Sequence, residues 1–365
     1  MPFDEVIGQT RPKKILNGLL TSGRLPHALL LHGPDGIGKK ALAIRIAMAV
    51  NCGSSPADPC GKCPACRNIS ALFHPDLTVL YPRPATSKPE EEVAFLRALA
   101  ENPYRVPQPA RNLTIPMPKK RAQELRRNAV LRPFEAKRKV VLIFDVDYMP
   151  DTVNALLKML EEPPNEMLFV LTTSRPGSVL PTILSRCQLL GLGRLSDQEI
   201  EEALAKRGGV SIETVRLTAK LADGNLTRAY EMLDNEDLEG GREAAFEFLR
   251  LSMAGTSLQA LEWAESWTKN KENPSPEQFV KWMLLWIRDA FLHLQGLSHG
   301  ATNRDRITDV IWLATMMSDR MVEEMVAETE RAMEMIERNV NMQLVLLHIM
   351  SAFRKKACKA EKKER

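Results

Sequence analysis

The chain has 365 residues, of which 44% are hydrophobic and 26% are charged, and its formal net charge is only +4. This length predicts two or three compact domains, and the small net charge excludes a general polycation, so any contact with nucleic acid depends on local patches or on partners. The sequence has no apolar run long enough to cross a bilayer and no signal-peptide pattern at its start, so we expect a cytoplasmic protein with no membrane contact.

A glycine-rich segment follows a short apolar strand and precedes a helix. Residues 29–31 predict the strand, and residues 40–50 predict the helix because alanine and isoleucine recur there at helical spacing. The segment between them fits G-x-x-x-x-G-K, the pattern of a phosphate-binding loop, or P-loop. Its glycines let backbone N–H groups surround phosphates, and the helix N-terminus adds partial positive charge. The candidate nucleotide-binding residues are Gly33, Gly36, Gly38, Lys39 and Lys40.

Lys40 departs from this pattern. Its position normally carries Ser or Thr, whose hydroxyl ligates Mg²⁺, and an ammonium cannot ligate a cation. Either Lys40 itself offsets phosphate charge, or the loop is an empty scaffold. The sequence therefore leaves open whether ATP with Mg²⁺ binds as a cofactor, and we do not expect efficient hydrolysis.

Acidic residues follow another predicted strand. Residues 77–81 and 140–144 predict buried strands, and the second runs into Phe-Asp-Val-Asp. A P-loop hydrolase needs an acid there for Mg²⁺ and usually a second group that activates water. If Asp145 is the metal-linked acid, Val146 replaces the second group; if Asp145 is the second group, Phe144 replaces the metal-linked acid. An Asp that only caps a turn is a third interpretation.

Four of the six cysteines, Cys52, Cys60, Cys63 and Cys66, lie within fifteen residues. In a cytoplasmic chain this clustering favours a metal over disulfides. Four thiolates in a loop rich in Gly and Pro match a closed, structural Zn²⁺ site without a catalytic position. Metal binding of this kind contributes about 10–16 kcal/mol to the folding of small zinc modules.

The remaining N-terminal segments alternate between helices and strands. Residues 82–120 are rich in proline, so we expect a mobile insertion with a helix only near 90–101. Helices are predicted at 123–131 and 152–160, and a buried strand at 168–171. This alternation predicts an α/β fold with a parallel, doubly wound sheet.

The C-terminal half is predicted to be helical. Ser196 and Glu199 form a capping-box pattern at the start of a small helical region over 196–235. From about residue 240 the chain is amphipathic and rich in Met, Leu and Trp. One apolar stripe at helical spacing, which we interpret as packing core, consists of Phe279, Met283, Trp286 and Ile287.

Motifs that carry a family resemblance occur along nearly the whole chain. In order they are 6–9 (Val-Ile-Gly-Gln), 26–31, the cysteine cluster, 74–76, 126–139, 154–164, 184–188 (Leu-Ser-Arg-Cys-Gln), 223–229 and 339–341. The most specific are 154–164 and 184–188. Together they resemble the AAA+ subunits of the bacterial DNA polymerase III clamp loader. The Pro-rich insert matches only at its edges.

The resemblance implies a domain plan. The expected fold is an α/β AAA+ P-loop parallel-sheet domain with a zinc-binding insert, followed by a small helical lid and an all-α collar domain. The expected boundaries are 1–194 for the first domain, with the zinc module near 52–66 and the Pro-rich insert at 82–120, then 195–238 for the lid and 239–365 for the oligomerisation collar.

The resemblance also implies roles for single residues. Arg186 corresponds to an arginine finger that acts in trans on ATP held by a neighbouring subunit, a contribution worth about 10³–10⁵ in rate. An Arg that forms only a salt bridge at a strand end is the plainer interpretation. Thr173, beside Thr172, falls at the first sensor position and Arg228 at the second, and Asp145 belongs to the nucleotide site.

Within the family, the departures at Lys40 and around Asp145 indicate a subunit of the delta-prime type, a stator without a polymerase site and with little or no ATPase activity. Its implied partners are the motor subunits and delta, the sliding clamp, and primer–template DNA through the complex, which is a DNA-directed DNA polymerase holoenzyme. The alternatives are an ATP-hydrolysing motor subunit of the gamma/tau type, or a zinc-bearing scaffold protein outside replication.

Overall fold

The structure is a computed structural model that describes residues 5–55, 59–83, 88–105, 132–164, 166–235, 238–270, 273–338 and 340–361. The helix predicted at 123–131 and the second half of the Pro-rich insert lie outside the described residues. The chain divides into two compact units, Met1–Val210 with Ala222–Tyr230 and Ser211–Leu221 with Glu231–Arg365. The three domain boundaries expected from the sequence stay a prediction. Among the described helices, none has both the length and the apolar character needed to span a membrane.

The first unit alternates strands and helices, as the sequence predicts. In chain order the elements are α1 (Thr10–Thr21), β1 (Ala28–His32), α2 (Lys39–Asn51), α3 (Pro64–Ser70), β2 (Leu77–Leu80), α4 (Pro89–Glu101), β3 (Lys139–Ile143), α5 (Pro150–Glu161), β4 (Met167–Thr173), α6 (Pro181–Leu184), β5 (Gln188–Gly191) and α7 (Asp197–Ala205). The predicted strands coincide with β1 to β4, and the predicted helices in the described part coincide with α2, α4 and α5.

The five strands form one parallel sheet in the order β2-β3-β4-β1-β5, which confirms the predicted α/β fold class. The central strand β4 is buried along its whole length. It pairs with β1 on one side, where Thr173 lies opposite His32, and with β3 on the other. Because all strands run the same way, the residues that follow β1, β3 and β4 meet at one edge of the sheet.

The edge strand β5 is not predicted from the sequence. It pairs with β1 from Leu29↔Gln188 to His32↔Gly191. Only Leu190 of its four residues is buried, so its apolar pattern is too short and too weak to indicate a strand. Its strand conformation comes from pairing with the interior strand β1.

Three helices follow the sheet: α7, α8 (Ile212–Ala222) and α9 (Leu226–Asn235). The predicted capping box starts α7, since the Glu199 N–H donates to Ser196 Oγ at 3.2 Å and the Ser196 N–H donates to Glu199 Oε2 at 2.8 Å. These two bonds satisfy backbone donors that have no partner within the helix.

The rest of the second unit is helical. Its helices are α10 (Leu238–Ala254), α11 (Ser257–Lys269), α12 (Pro276–Leu294), α13 (Ile307–Thr315), α14 (Asp319–Glu337) and α15 (Met342–Glu361). The long helix α12 packs against α10, α13 and α14. The predicted stripe at Phe279, Met283, Trp286 and Ile287 is fully buried. Those residues form packing core, as interpreted from the sequence.

Candidate functional site

The loop between β1 and α2 has a backbone that requires glycine. Gly36 and Gly38 have φ angles of 68° and 98°, in the left-handed region that strains other residues. A Cβ on Gly36 would lie 1.7 Å from Asn225 Oδ1, and one on Gly38 would lie 2.6 Å from the Tyr104 hydroxyl oxygen. The motif glycines are therefore needed both for the turn and because two side chains of the same chain lie against the loop.

Lys39 directs its ammonium back into the loop. Its Nζ donates to Gly33 O at 2.8 Å, to Pro34 O at 2.5 Å and to Ser174 Oγ at 3.1 Å. Burial lowers the pKa of Lys39 to about 8, although the Asp35 carboxylate 3.9 Å away acts in the opposite direction. The ammonium thus donates to protein oxygens at the position where the motif expects phosphate oxygens.

Lys40 and Asp145 form a buried ion pair. Lys40 Nζ lies 2.9 Å from Asp145 Oδ2, and the two residues are 6% and 1% exposed. The Asp145 N–H donates to Thr172 Oγ1 at 2.9 Å, which fixes the backbone after β3. The ammonium that replaces the motif hydroxyl is therefore paired with the acid that follows β3, the place where a P-loop hydrolase has its acidic residues.

Thr173 lies at the carboxyl end of β4 and donates from Oγ1 to Asp147 Oδ1 at 2.8 Å. The side chain of Asp147 is fully buried and also accepts from Arg175 Nε at 2.9 Å. This contact with Asp147 raises the pKa of the Arg175 guanidinium, and the guanidinium lies over the Tyr148 ring. The Thr173 hydroxyl at the predicted sensor position is thus bonded to a neighbouring acid, and Asp147 and Arg175 are contacts that the sequence did not single out.

The N-terminus of α9 lies on the P-loop. The Leu226 N–H donates to Gly36 O at 3.0 Å, and Asn225 Oδ1 accepts from the Arg228 N–H at 2.9 Å. Asn225 is thus the N-cap of the helix that carries Arg228, whose side chain is half-buried. Asn225 belongs to the segment 223–229 that resembles the second sensor, and its contact with the loop is visible only in the fold.

The N-terminal motif at 6–9 is tied to the same loop. Gln9 Nε2 donates to Ile37 O at 3.2 Å and to Gly193 O at 2.7 Å, and Gln9 Oε1 accepts from the Gly193 N–H. One side-chain amide therefore joins the N-terminal segment, the P-loop and the end of β5.

Tyr104 lies between the N-terminal segment and the P-loop. It is 5% exposed, and its hydroxyl oxygen accepts from the Ile7 N–H at 2.9 Å. Its own N–H donates to Asn102 Oδ1 at 3.0 Å. Burial raises the pKa of Tyr104 above its ordinary value, so the phenol keeps its proton. Nothing in the sequence around Tyr104 indicates this position, because the residue falls in the Pro-rich insert.

Arg186 follows α6 and directly precedes β5. Its guanidinium lies 2.9 Å from Glu161 Oε1 and donates to Thr182 O at 2.7 Å and to Ser185 Oγ at 3.1 Å. About a third of its side chain (33%) is exposed. The start of β5 belongs to the amino-terminal edge of the parallel sheet, opposite the carboxyl edge that carries the P-loop. Arg186 therefore lies at the opposite edge of the sheet from the nucleotide loop of its own chain.

The four clustered cysteines converge as predicted. The sulfur atoms of Cys52, Cys60, Cys63 and Cys66 all lie within 4.8 Å of one another. A tetrahedral zinc site with Zn–S bonds of about 2.3 Å needs sulfurs about 3.8 Å apart, so the group is compact enough for a metal ion. Three backbone N–H groups, of Cys60, Cys63 and Cys66, point to sulfurs of the cluster at 3.3 to 3.4 Å. The cluster can hold a metal ion, and its donor set fits Zn²⁺.

The cysteine cluster is attached to the sheet through the segment before β3. Lys137 Nζ donates to Cys52 O at 2.6 Å, and the side chain of Asn51 exchanges two hydrogen bonds with the backbone of Arg138. Asn51 is the last residue of α2, so the first cysteine of the cluster, Cys52, directly follows the helix that starts at the P-loop.

Comparisons with known proteins identify the family. The family model described as DNA polymerase III, delta subunit, matches residues 8–196, and the model of its C-terminal part matches residues 241–355. The delta-prime subunit of DNA polymerase III from Bacillus subtilis is 26% identical over 344 residues, which cover 94% of this chain and 95% of that protein. The tau subunit from the same organism is 30% identical over 239 residues, 64% of this chain but only 37% of that protein.

Among solved structures, a DNA polymerase III gamma subunit-related protein from Thermotoga maritima is 16% identical, with a TM-score of 0.39, and the match covers 95% of this chain and 99% of that one. Because the first family model alone spans more than half of the sequence, the chain belongs to the DNA polymerase III delta-subunit family of clamp-loader proteins, and it is similar to delta-prime along nearly its whole length.

Proposed function

We propose that this chain is the stator of a DNA polymerase III clamp loader. In this role it holds its place in the ring of subunits and supplies Arg186 to ATP bound by a neighbouring motor subunit. Hydrolysis by that neighbour then drives opening of the sliding clamp and its loading onto primed DNA. The chain itself carries out neither polymerisation nor efficient hydrolysis, and it acts in the cytoplasm, where bacterial replication takes place.

The observation that carries the proposal is the buried pair of Lys40 and Asp145, 2.9 Å apart. A motor subunit needs an acid after this strand, together with a hydroxyl in the place of Lys40, to hold Mg²⁺ between the β- and γ-phosphates. If Asp145 is the metal-linked acid, the Lys40 ammonium neutralises it and the hydroxyl is missing as well; if Phe144 stands in its place, the acid itself is missing. This supports a subunit whose own loop does not drive the cycle.

The position of Arg186 supports the second part of the proposal. An arginine that completes a neighbour's site must lie at the surface and away from its own loop, and Arg186 is at the amino-terminal edge of the sheet with its guanidinium partly exposed. Exposed ion pairs such as that with Glu161 contribute about 0–1 kcal/mol. A γ-phosphate of a neighbour would therefore displace Glu161 easily.

The other parts of the chain have supporting roles in this proposal. The four cysteines hold a structural Zn²⁺, because an all-cysteine tetrahedral site leaves no open position for catalysis. Helices α10 to α15 belong to the collar that joins the other loader subunits, namely the motor subunits and delta. Contacts with the sliding clamp and with primer–template DNA are made by the assembled complex.

Reconstitution tests the proposal against its nearest alternative, a motor subunit. We expect the purified chain with ATP and Mg²⁺ to show no turnover above background, to co-elute with tau-type and delta subunits of its own loader in gel filtration, and to raise their ATP turnover. Steady turnover by the chain alone would instead assign it as a motor. Failure to assemble with loader subunits would indicate a zinc-bearing protein outside replication.

A further inference from the structure

The P-loop retains the backbone of a nucleotide site, but side chains of the same chain occupy its surroundings. In a P-loop protein the phosphates lie on the N–H groups at the start of the helix, here α2. The ribose and base must then leave the loop beside its last residues. In this chain the space beside Gly38 contains Tyr104, since a Cβ on Gly38 would lie 2.6 to 3.1 Å from the hydroxyl oxygen and two ring carbons of that tyrosine.

Tyr104 also satisfies a backbone donor at this place. The Ile7 N–H donates to its hydroxyl oxygen at 2.9 Å, and Gln9 of the same segment is bonded to Ile37 O of the loop. Tyr104 presents a flat aromatic ring and a hydroxyl oxygen that accepts one backbone hydrogen bond, as a nucleobase presents a flat ring and a ring-nitrogen acceptor. Tyr104 is 5% exposed, so almost no solvent reaches the space that it fills.

The position of Tyr104 is fixed from both sides. Its N–H donates to the side chain of Asn102, the C-cap of α4, and the guanidinium of the next residue, Arg105, lies 5.6 Å from the centre of the Tyr230 ring. These contacts hold the phenol against the loop without the help of a ligand.

The metal's place is also taken by a side chain of this chain. Lys40 Nζ lies 2.9 Å from Asp145 Oδ2, and Lys39 lies one residue earlier in the same loop. Two ammonium groups at the start of α2 offset phosphate charge without a divalent cation. A nucleotide that reached this loop would meet cations that are part of the protein.

We propose that the P-loop of this chain is a masked nucleoside-triphosphate site, in which Tyr104 occupies the position of the nucleoside and Lys40 takes the place of Mg²⁺. The inference concerns the chain's own loop and does not depend on the role of Arg186. It predicts that removal of the Tyr104 side chain creates nucleotide binding that needs no magnesium.

The test is a titration of the purified chain with a fluorescent ATP analogue, in EDTA and in Mg²⁺. We expect Tyr104→Ala and the better-packed Tyr104→Leu to bind the analogue at least about tenfold more tightly than the unmodified chain, with little difference between EDTA and Mg²⁺. Tyr81→Ala is the matched control, because Tyr81 is also buried and stacks on Phe95 with ring centroids 4.1 Å apart. It should leave nucleotide affinity unchanged.

Further outcomes decide each part of the proposal. Binding by Tyr104→Ala should be lost when Lys39→Ala is added, since the phosphates would lie at Lys39. Unmodified protein that binds the analogue as tightly as the variants overturns the mask, and so does a folded Tyr104 variant that does not bind. Binding that requires Mg²⁺ overturns the substitution of the metal by Lys40. If both variants fail to fold, micromolar or tighter binding of the analogue by the unmodified chain still overturns the mask.

Discussion

Lys39 is buried, and its ammonium is surrounded by protein oxygens; burial brings its pKa from 10.5 to about 8. Below pH 8 the group is charged in both the folded and the unfolded chain, so folding bears the full cost of burying the charge. As the pH rises through 8, the folded chain releases this proton while the unfolded chain keeps it up to about pH 10.5. We therefore expect Lys39 to contribute an increase of about 3 kcal/mol in the free energy of unfolding over this window.

The measurement is urea unfolding between pH 7 and 10 for the unmodified chain and for Lys39→Met. The variant keeps most of the length of the side chain but has no proton to release, so the difference between the two curves of unfolding free energy against pH isolates the contribution of Lys39 from those of other titrating groups. If the free energy of unfolding changed with pH in the same way for both proteins, the buried ammonium would not have the lowered pKa described above.

Single residues were predictable from the sequence where a motif specifies them, and not where a contact depends on the fold. The glycines, Lys39 and the absence of an intact acid pair around Asp145 follow from the pattern itself. The pairing of Lys40 with Asp145 depends on the sheet order, which brings the ends of β1 and β3 to one edge. The position of Tyr104 was not predictable from the sequence, because no spacing rule connects a residue after α4 with Ile7 and Gly38.

At the scale of elements, the cysteine cluster belongs to a short insert between α2 and β2 that contains α3. Its backbone N–H groups point at sulfurs, and Lys137 and Asn51 attach it to the segment before β3. A metal ion held by the four sulfurs would add a large share of the stability of such an insert. We predict one zinc ion per chain by elemental analysis of protein purified without chelator.

Removal of one ligand should release this metal. Cys63→Ser should lower the zinc content to well below one per chain and make the segment around residues 52–66 sensitive to protease, while the sheet stays folded. The matched control is Cys187→Ser, because Cys187 is buried outside the cluster and burial raises the pKa of its thiol to about 11. Full zinc content in Cys63→Ser, or none in the unmodified chain, would contradict the assignment.

The elements themselves were largely predictable because their cores are continuous. Strands β1 to β4 are short apolar runs buried in the sheet, and α12 has an apolar stripe at helical spacing, so local pattern and tertiary burial agree. The edge strand β5 has one buried side chain, and its strand conformation comes from pairing with β1. The helix expected at 123–131 stays a prediction.

At the scale of the whole chain, the two edges of the sheet have different chemistry. The carboxyl edge carries a P-loop with the Lys40–Asp145 ion pair and with Tyr104 beside Gly38, and the amino-terminal edge carries Arg186 in a partly exposed ion pair with Glu161. In the proposed role, the chain hydrolyses no ATP of its own and supplies a cation to another subunit, which suits a fixed place in a ring.

The most direct test of this account is the ATP hydrolysis of the reconstituted loader with Arg186→Ala, compared with the unmodified chain in single-turnover experiments with clamp and primed DNA. Arg83→Ala is the control, because Arg83 is likewise a partly exposed arginine in an ion pair, with Glu92. We predict unchanged assembly by gel filtration and a loss of about 10³-fold or more in the rate at the site that faces this chain. Hydrolysis at the same rate in every site of an intact complex would contradict the assignment of Arg186 as the residue that this chain supplies to its neighbour.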